Sequence, residues 1–304
     1  MGRRLIECVP NFSEGRDHVL VARIVHAIAS TPGVALLGKE SDADHHRSVV
    51  TFAGDPAAVT EGAFRGVRLA AELIDLRQHQ GVHPRLGAAD VVPLVPVQGV
   101  TLEDCARYAH QLGQRIWDEL HIPVYFYEAA ALREDRRRLE AVRRGGFEGL
   151  SEWIKSDPAK LPDIGGRQLH PTAGAVIVGA RKFLLAFNIN LATGNLDIAK
   201  RIAVKVRESS GGLPHVKAMG VMLASRGLAQ VSMNLTDFEV TPLHVVYQAV
   251  AREAAVHGVA IAGSEIIGLM PAKALAMAAA HSLQCENFHE QQILEARLLA
   301  NLLD

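Results

Sequence analysis

No stretch of this chain reaches the roughly 18–20 uninterrupted apolar residues that a membrane-crossing helix requires, so no membrane partner is expected. Cysteine is scarce. Cys8, Cys105 and Cys285 are odd in number, far apart and set in apolar or helical-looking sequence, which supports neither a disulfide framework nor a cysteine-rich metal site. A surplus of either charge is also missing: 32 Lys and Arg stand against 33 Asp and Glu, and no global field favours nucleic acid or anionic lipid. Aromatic residues are only 5% of the chain and no basic stripe is interleaved with them, which argues further against a nucleic-acid partner. The opening Met1-Gly2-Arg3-Arg4 leads into Leu5-Ile6-Glu7-Cys8-Val9, too short and too soon interrupted for a secretory h-region, so the expected address is cytoplasmic. What remains is a small-molecule partner.

Apolar residues, by contrast, make up 49% of 304 residues, enough for two cores sharing one chain. The second half is the easier to read. Lys182 to Leu191 is strand-like, and Asn195 then opens a helix with Leu196, Ile198, Ala199, Ile202, Ala203 and Val206 on one face. Val216 to Ala224 predicts a strand, Ser225-Arg226-Gly227 a turn, and Ala229, Val231, Met233 and Leu235 alternate with Gln230, Ser232 and Asn234 along a second strand with one polar face. Thr241 and Pro242 read as N-cap and first position of a helix that carries Leu243, Val246, Tyr247, Val250 and Ala254 and closes at Gly258. A last strand runs from Val259 to about Gly268, and two helices follow Pro271. The order β-α-β-β-α-β is the split βαβ arrangement of ferredoxin-like folds.

The first half repeats that order with insertions. Ile6 to Asn11 predicts a strand, Arg16 to Ser30 a helix, Val34 to Leu37 and Ser48 to Phe52 two more strands, and Asp55-Pro56 caps a helix to about Asp75. Gly62 and Gly66, one turn apart in that helix, predict close packing. Val91 to Val97 is the fourth strand; Thr101 and Asp104 resemble a capping box opening a helix to Leu120, and Ile122 to Tyr127 is another strand. The expected architecture is therefore α+β, two ferredoxin-like α/β sandwich subdomains over residues 1–181 and 182–304, with helices on one face of each sheet and the other faces free to meet. The connection is placed near Val178 to Phe183, beyond the charged segment Asp135 to Leu161.

Four clusters can carry chemistry. The loop Leu76 to Gly87 holds His83 between two arginines, with Pro84 to stiffen it; an imidazole there suits proton transfer between two nitrogens, and a surface turn that happens to contain histidines is the plain alternative. Asp42, Asp44, His45, His46 and Arg47 lie between two predicted strands, with zinc-compatible side chains but no HExxH-like spacing, so a polar turn or substrate-contact loop is favoured over a metal site. In Asp163 to Gly174 the glycines allow close approach to a ligand and Arg167 can meet a carboxylate; the G-x-G-x-x-G spacing is absent, and an inter-domain connection is the alternative. Asn188 with Asn190, and Gln230 with Ser232 and Asn234, line either a crevice or simply the wet side of a half-buried sheet.

Several strings together resemble the formimidoyltransferase domain of the formimidoyltransferase-cyclodeaminase family and its single-domain relatives. They are Glu7-Cys8-Val9-Pro10-Asn11-Phe12-Ser13-Glu14-Gly15, His83-Pro84-Arg85 running into Gly87, Gly179-Ala180-Arg181-Lys182-Phe183, Ala186-Phe187-Asn188-Ile189-Asn190, Ala229-Gln230-Val231-Ser232 and Asp237-Phe238-Glu239-Val240-Thr241. The likeness runs through nearly the whole chain in order. It implies two subdomains whose sheets face each other across a folate-holding tunnel, in a homodimer. It implies His83 as the catalytic residue and a folate-binding segment over Gly165, Gly166, Arg167, Gln168, Leu169, His170, Pro171, Thr172, Ala173 and Gly174.

The implied reaction moves a formimidoyl group from N-formimidoyl-glutamate to N5 of tetrahydrofolate, which serves as co-substrate. Arg47 and Arg85 are then the candidates for the donor's carboxylates, Asn188 and Asn190 further substrate contacts, and no metal is expected. Any later ring closure would fall to a separate cyclodeaminase. This chain has His46 where the family's animal members usually carry Asn just before the arginine, and the acid upstream has its counterpart among Glu40, Asp42 and Asp44. Two other readings use the same residues: a glutamate formyltransferase handling 5-formyltetrahydrofolate, and a non-catalytic folate-binding or sensing module.

Overall fold

The computed structural model describes residues 3–43, 45–81, 84–223, 226–285, 288–289 and 292–295. The chain divides into two compact units, Met1–Arg181 and Lys182–Asp304. Among the described residues no helix is long and apolar enough to cross a membrane.

The first unit begins with β1 (Leu5–Cys8) and β2 (Asn11–Phe12), then α1 (His18–Ala29), β3 (Val34–Asp42), β4 (Arg47–Gly54), α2 (Pro56–Leu73) and β5 (Ala89–Gln98). The order across the sheet, β3, β4, β1 with β2, then β5, is antiparallel throughout and is that of a ferredoxin-like fold. The predicted single strand over 6–11 is broken because Pro10 has no N–H to give to the ladder; its carbonyl still accepts from Val50 N at 3.1 Å. β3 runs five residues past its predicted end at Leu37, since this edge strand is mostly exposed and carries no burial alternation to read. Asp17 caps α1 by accepting from Val19 N and Leu20 N, so the helix starts two residues later than the predicted Arg16.

Beyond β5 come α3 (Leu102–Leu120), β6 (Val124–Glu128), α4 (Leu139–Val142), α5 (Gly146–Ser156) and β7 (Val176–Ala180). The Thr101–Asp104 capping box forms as expected. β7 inserts between β5 and β6, parallel to both. The predicted connection from Val178 thus begins inside a central strand: Val-Ile-Val-Gly-Ala is buried on both faces and lacks the alternation that marks half-buried strands.

Ile6, Cys8, Phe52, Val92, Val124 and Val178 pack against Ile24, Ile28, Phe64, Val67, Cys105 and Ile116 of α1 to α3. Gly62 and Gly66 permit this approach, for a Cβ on Gly66 would fall 3.0 Å from Ile28. The opposite face is not left free of helix. Val91, Tyr125, Tyr127 and Ile177 cluster there with Leu150 of α5, which corrects the expectation of helices on one face only.

The second unit contains β8 (Leu185–Leu191), α6 (Leu196–Val206), β9 (Val216–Leu223), β10 (Leu228–Leu235), α7 (Leu243–Val256), β11 (Ile261–Ile267) and α8 (Ala272–Ser282). Its order, β11-β8-β10-β9, is again ferredoxin-like. Phe187, Ile189, Val231 and Met233 face Ile202, Val206, Val246 and Val250. Alternation accordingly puts Asn188, Asn190, Gln230 and Ser232 on the other face. Thr241 is not the cap of α7: its hydroxyl donates to Pro214 O at 2.7 Å and Pro242 holds the cap position. Most of the second predicted helix after Pro271, and Ser225 of the predicted turn, lie outside the described residues.

Candidate active site

Three of the four sequence clusters converge in the first unit. Asp42 and Arg47 are cross-strand partners at the ends of β3 and β4, and the chain reverses between them, with His46 left-handed at φ 50°. Gly15 enters the mouth of this hairpin, where a Cβ would lie 2.2 Å from Asp42 O, and the string that ends at Gly15 thereby brings Glu14 beside the turn. Glu14 Oε1 accepts from Arg16 N at 2.7 Å, Asp17 N at 2.9 Å and His46 Nε2 at 3.0 Å. Burial raises its pKa, but the two backbone donors and His46 outweigh that and leave the carboxyl below the usual range.

The other ring nitrogen of His46, Nδ1, lies 3.1 Å from Gln80 O. Both ring nitrogens of His46 therefore lie within hydrogen-bond reach of an oxygen. His79 stacks on that ring at 4.2 Å and donates from Nε2 to His46 O at 2.8 Å, while its buried Nδ1 has no partner among the described residues. Burial, joined by the charges of Arg85 and His46, holds the pKa of His79 below the ordinary imidazole value against the pull of the His46 carbonyl.

Both depressions tie stability to pH. The neutral His79 contributes fully above its unfolded value of 6.5, and that contribution is lost as pH falls toward the folded value. Glu14 acts in a lower window, contributing above 4.5 and losing it as pH drops through its folded pKa. Urea denaturation of His79→Asn between about pH 5 and pH 7 should give a flatter stability profile than the native chain, and an unchanged slope would remove His79 from the response.

Arg47, Arg85 and Asp90 line the same small cavity with Phe12, Ser13 and His46. Burial and the neighbouring Arg143 lower the pKa of Arg47 to about 10, against the pull of Asp90 and Asp42. Arg85 is held by Glu148 at 2.8 and 3.2 Å and donates to His79 O at 3.1 Å. Buried Asp90 accepts from Leu86 N at 2.8 Å and from Arg143. His83 itself lies outside the described residues, as do Val82 and Asp44. On either side of 82–83 the chain is anchored: a Cβ on Gly81 would fall 2.6 Å from His45 O, and Ser13 Oγ donates to Gly87 O at 2.7 Å.

The segment Gly165 to Gly174 belongs wholly to this unit. Its start is tied by Asp163, which pairs with Arg136 at 2.6 Å and accepts from Phe126 N at 2.8 Å. Gly165, Gly166, Arg167 and Gln168 are exposed, and Arg167 donates to Lys155 O at 3.4 Å. Leu169 is half-buried and Pro171 exposed. His170 Nδ1 accepts from Ala173 N at 3.0 Å within a tight turn closed by Gly174 at φ 70°. The end zips onto the histidine loop through Leu76 N to Thr172 O, Ala88 N to Ala173 O and Ala175 N to Leu86 O, at 2.9 to 3.0 Å.

Asn188 and Asn190 belong to the second unit, where Asn188 Oδ1 accepts from Met233 N at 3.3 Å. Among the described residues no group of three or more His, Cys, Asp or Glu is arranged to hold a metal ion. Glu14, His79, Asp90 and Arg143 were not singled out from sequence. Glu14 lies in the stretch Glu7 to Gly15 that carries the family resemblance, and Asp90 has the one available signal, an acid at the head of an apolar run.

Imidazole, carboxylate and guanidinium groups gathered around a water-sized cavity of about 10 Å³, on a doubled α+β frame, are the residue types with which an enzyme moves protons and binds anions. The "Formiminotransferase domain, N-terminal subdomain" model matches residues 5–181 and the "Formiminotransferase domain" model residues 186–300. The chain belongs to the formiminotransferase family. It is 47% identical to the glutamate formimidoyltransferase of Streptococcus pyogenes serotype M1 over 97% of its own length and 99% of that protein's. Identity to the glutamate formimidoyltransferase of Thermoplasma acidophilum is 48%, covering 97% of each. Against the formimidoyltransferase-cyclodeaminase of Sus scrofa it is 46%, over 99% of this chain and 56% of that longer one.

Proposed function

We propose that this chain is a glutamate formimidoyltransferase, moving the formimidoyl group of N-formimidoyl-L-glutamate to N5 of tetrahydrofolate and releasing glutamate. The observation that carries the proposal is end-to-end similarity to the streptococcal enzyme of that name, over 99% of its length. With it come a cytoplasmic homodimer, tetrahydrofolate as co-substrate and a separate cyclodeaminase for any subsequent ring closure.

In this mechanism N5 attacks the formimidoyl carbon. His83 takes the N5 proton as the tetrahedral centre forms and returns a proton to the departing glutamate nitrogen. Arg47 and Arg85 supply positive charge for the donor's carboxylates, Asn188 offers an amide contact, Asn190, buried and bonded to Gln230 and Glu265, acts through those neighbours, and Gly165 to Gly174 receives the folate. Holding two substrates in register supplies much of the rate. The test follows glutamate release and N5 adduct formation with the purified protein, using formimidoyl- and formyl-glutamate in parallel. Formimidoyl transfer should be the faster. A faster formyl reaction would reassign the donor, and tight tetrahydrofolate binding with neither reaction would leave a non-catalytic module.

A further inference from the structure

The face of the second unit's sheet turned away from α6 and α7 carries a directional series of side-chain hydrogen bonds. Asn190 on β8 and Gln230 on β10 are direct cross-strand partners and are 2% and 4% exposed. Gln230 Nε2 donates to Asn190 Oδ1 at 2.8 Å, and Asn190 Nδ2 donates to Oε1 of Glu265 on β11, also at 2.8 Å. Arg226 donates to the same oxygen at 2.6 Å. Among the described residues Oε2 of Glu265 receives only a long contact of 3.4 Å from Gln230, and Gln230 Oε1 accepts from none. Two buried amides stand in series where valine would serve a sheet interior equally well, and their work is to fix one half-exposed carboxylate.

A carboxylate so held, with acceptor capacity left on one oxygen, matches two N–H donors borne on a single planar carbon. We propose that Glu265, set by Asn190 and Gln230, is the receptor for a planar N–C–N donor pair on the ligand. The inference rests on the proposed function, in which that chemistry has two sources: the amidinium of the formimidoyl donor and the N3–C2–amino edge of the pterin. Arg226 already balances the charge of Glu265, and a second cation would meet repulsion there, so the neutral pterin edge is the expected occupant.

The experiment is calorimetric binding of tetrahydrofolate alone and N-formimidoyl-L-glutamate alone to full-length Glu265→Gln and Glu265→Asp, with thermal unfolding as the control of fold. The expected result is about tenfold weaker tetrahydrofolate binding with the donor unchanged within about twofold. A 2-desamino-2-methyl tetrahydrofolate should bind the native chain about as weakly as the parent binds Glu265→Gln. Loss confined to the donor assigns the same receptor to the amidinium. Unchanged binding of both ligands, or equal loss of both, overturns the proposal. Because binding is read without turnover, a native chain that binds but transfers nothing would count against the proposed reaction and not against Glu265.

Discussion

Turnover of His83→Asn is expected to fall by roughly 10²–10⁴-fold, the range that a positioned acid or base contributes, with tetrahydrofolate still bound at near-native affinity. The size follows from the chemistry. Transfer between two nitrogens needs a proton removed from N5 and one delivered to the leaving amine, and asparagine does neither near neutral pH. The fold prepares the loop for such a residue by fixing it on both sides of positions 82 and 83. Gly81 lies against the 42–47 hairpin, and Leu86 N is held by Asp90. Those anchors use groups other than residue 83, so the substitution should leave the loop's frame and the folding transition in place. Single-turnover rates and equilibrium folate binding, measured side by side, check this; a variant with near-native turnover would remove His83 from the mechanism.

The second large effect concerns stability. Asp163→Ala should cost about 3–5 kcal/mol, the usual penalty for removing one member of a buried ion pair. Asp163 and Arg136 are 4% and 6% exposed, Arg136 also donates to Ala159 O at 3.2 Å, and its guanidinium lies 5.1 Å from the Tyr125 ring centroid. Loss of the carboxylate strands a buried cation and frees Phe126 N, at the very point where Gly165 to Gly174 leaves β6. Replacing both partners, as in Arg136→Met with Asp163→Leu, should cost less than the single change, because no charge is then left unpaired. Urea unfolding of the three proteins measures the difference. Equal stability of Asp163→Ala and the native chain would show the pair to be ornamental.

Much of the architecture was legible because it rests on local signals. Asp55-Pro56, Thr101 with Asp104, and Asn195 announce helix starts by the side chains that satisfy free N–H groups. Alternation along 229–235 gave β10 and its inward face. β3 past Leu37 and β7 were not legible: an exposed edge strand has no buried side to alternate, and a strand buried on both faces has no polar side. At the site, His46 and Arg85 were visible as residue types in loops, yet nothing local reveals that His46 meets Glu14, 32 residues away, or that Arg85 meets Glu148, 63 away.

The sequence by itself determined the doubled split-βαβ order, the polar rows on one face of the second sheet, and the family, since each is written in short-range periodicity or in long colinear strings. Only the tertiary structure decided that the hairpin 42–47, the histidine loop and the Gly165 to Gly174 segment adjoin one another, and that Glu14, Asp90 and Glu148 join Asp42 there. The physical reason is that such groupings depend on strand pairing between distant residues and on where buried charge finds its counter-charge, neither of which leaves a mark on neighbouring positions in the chain.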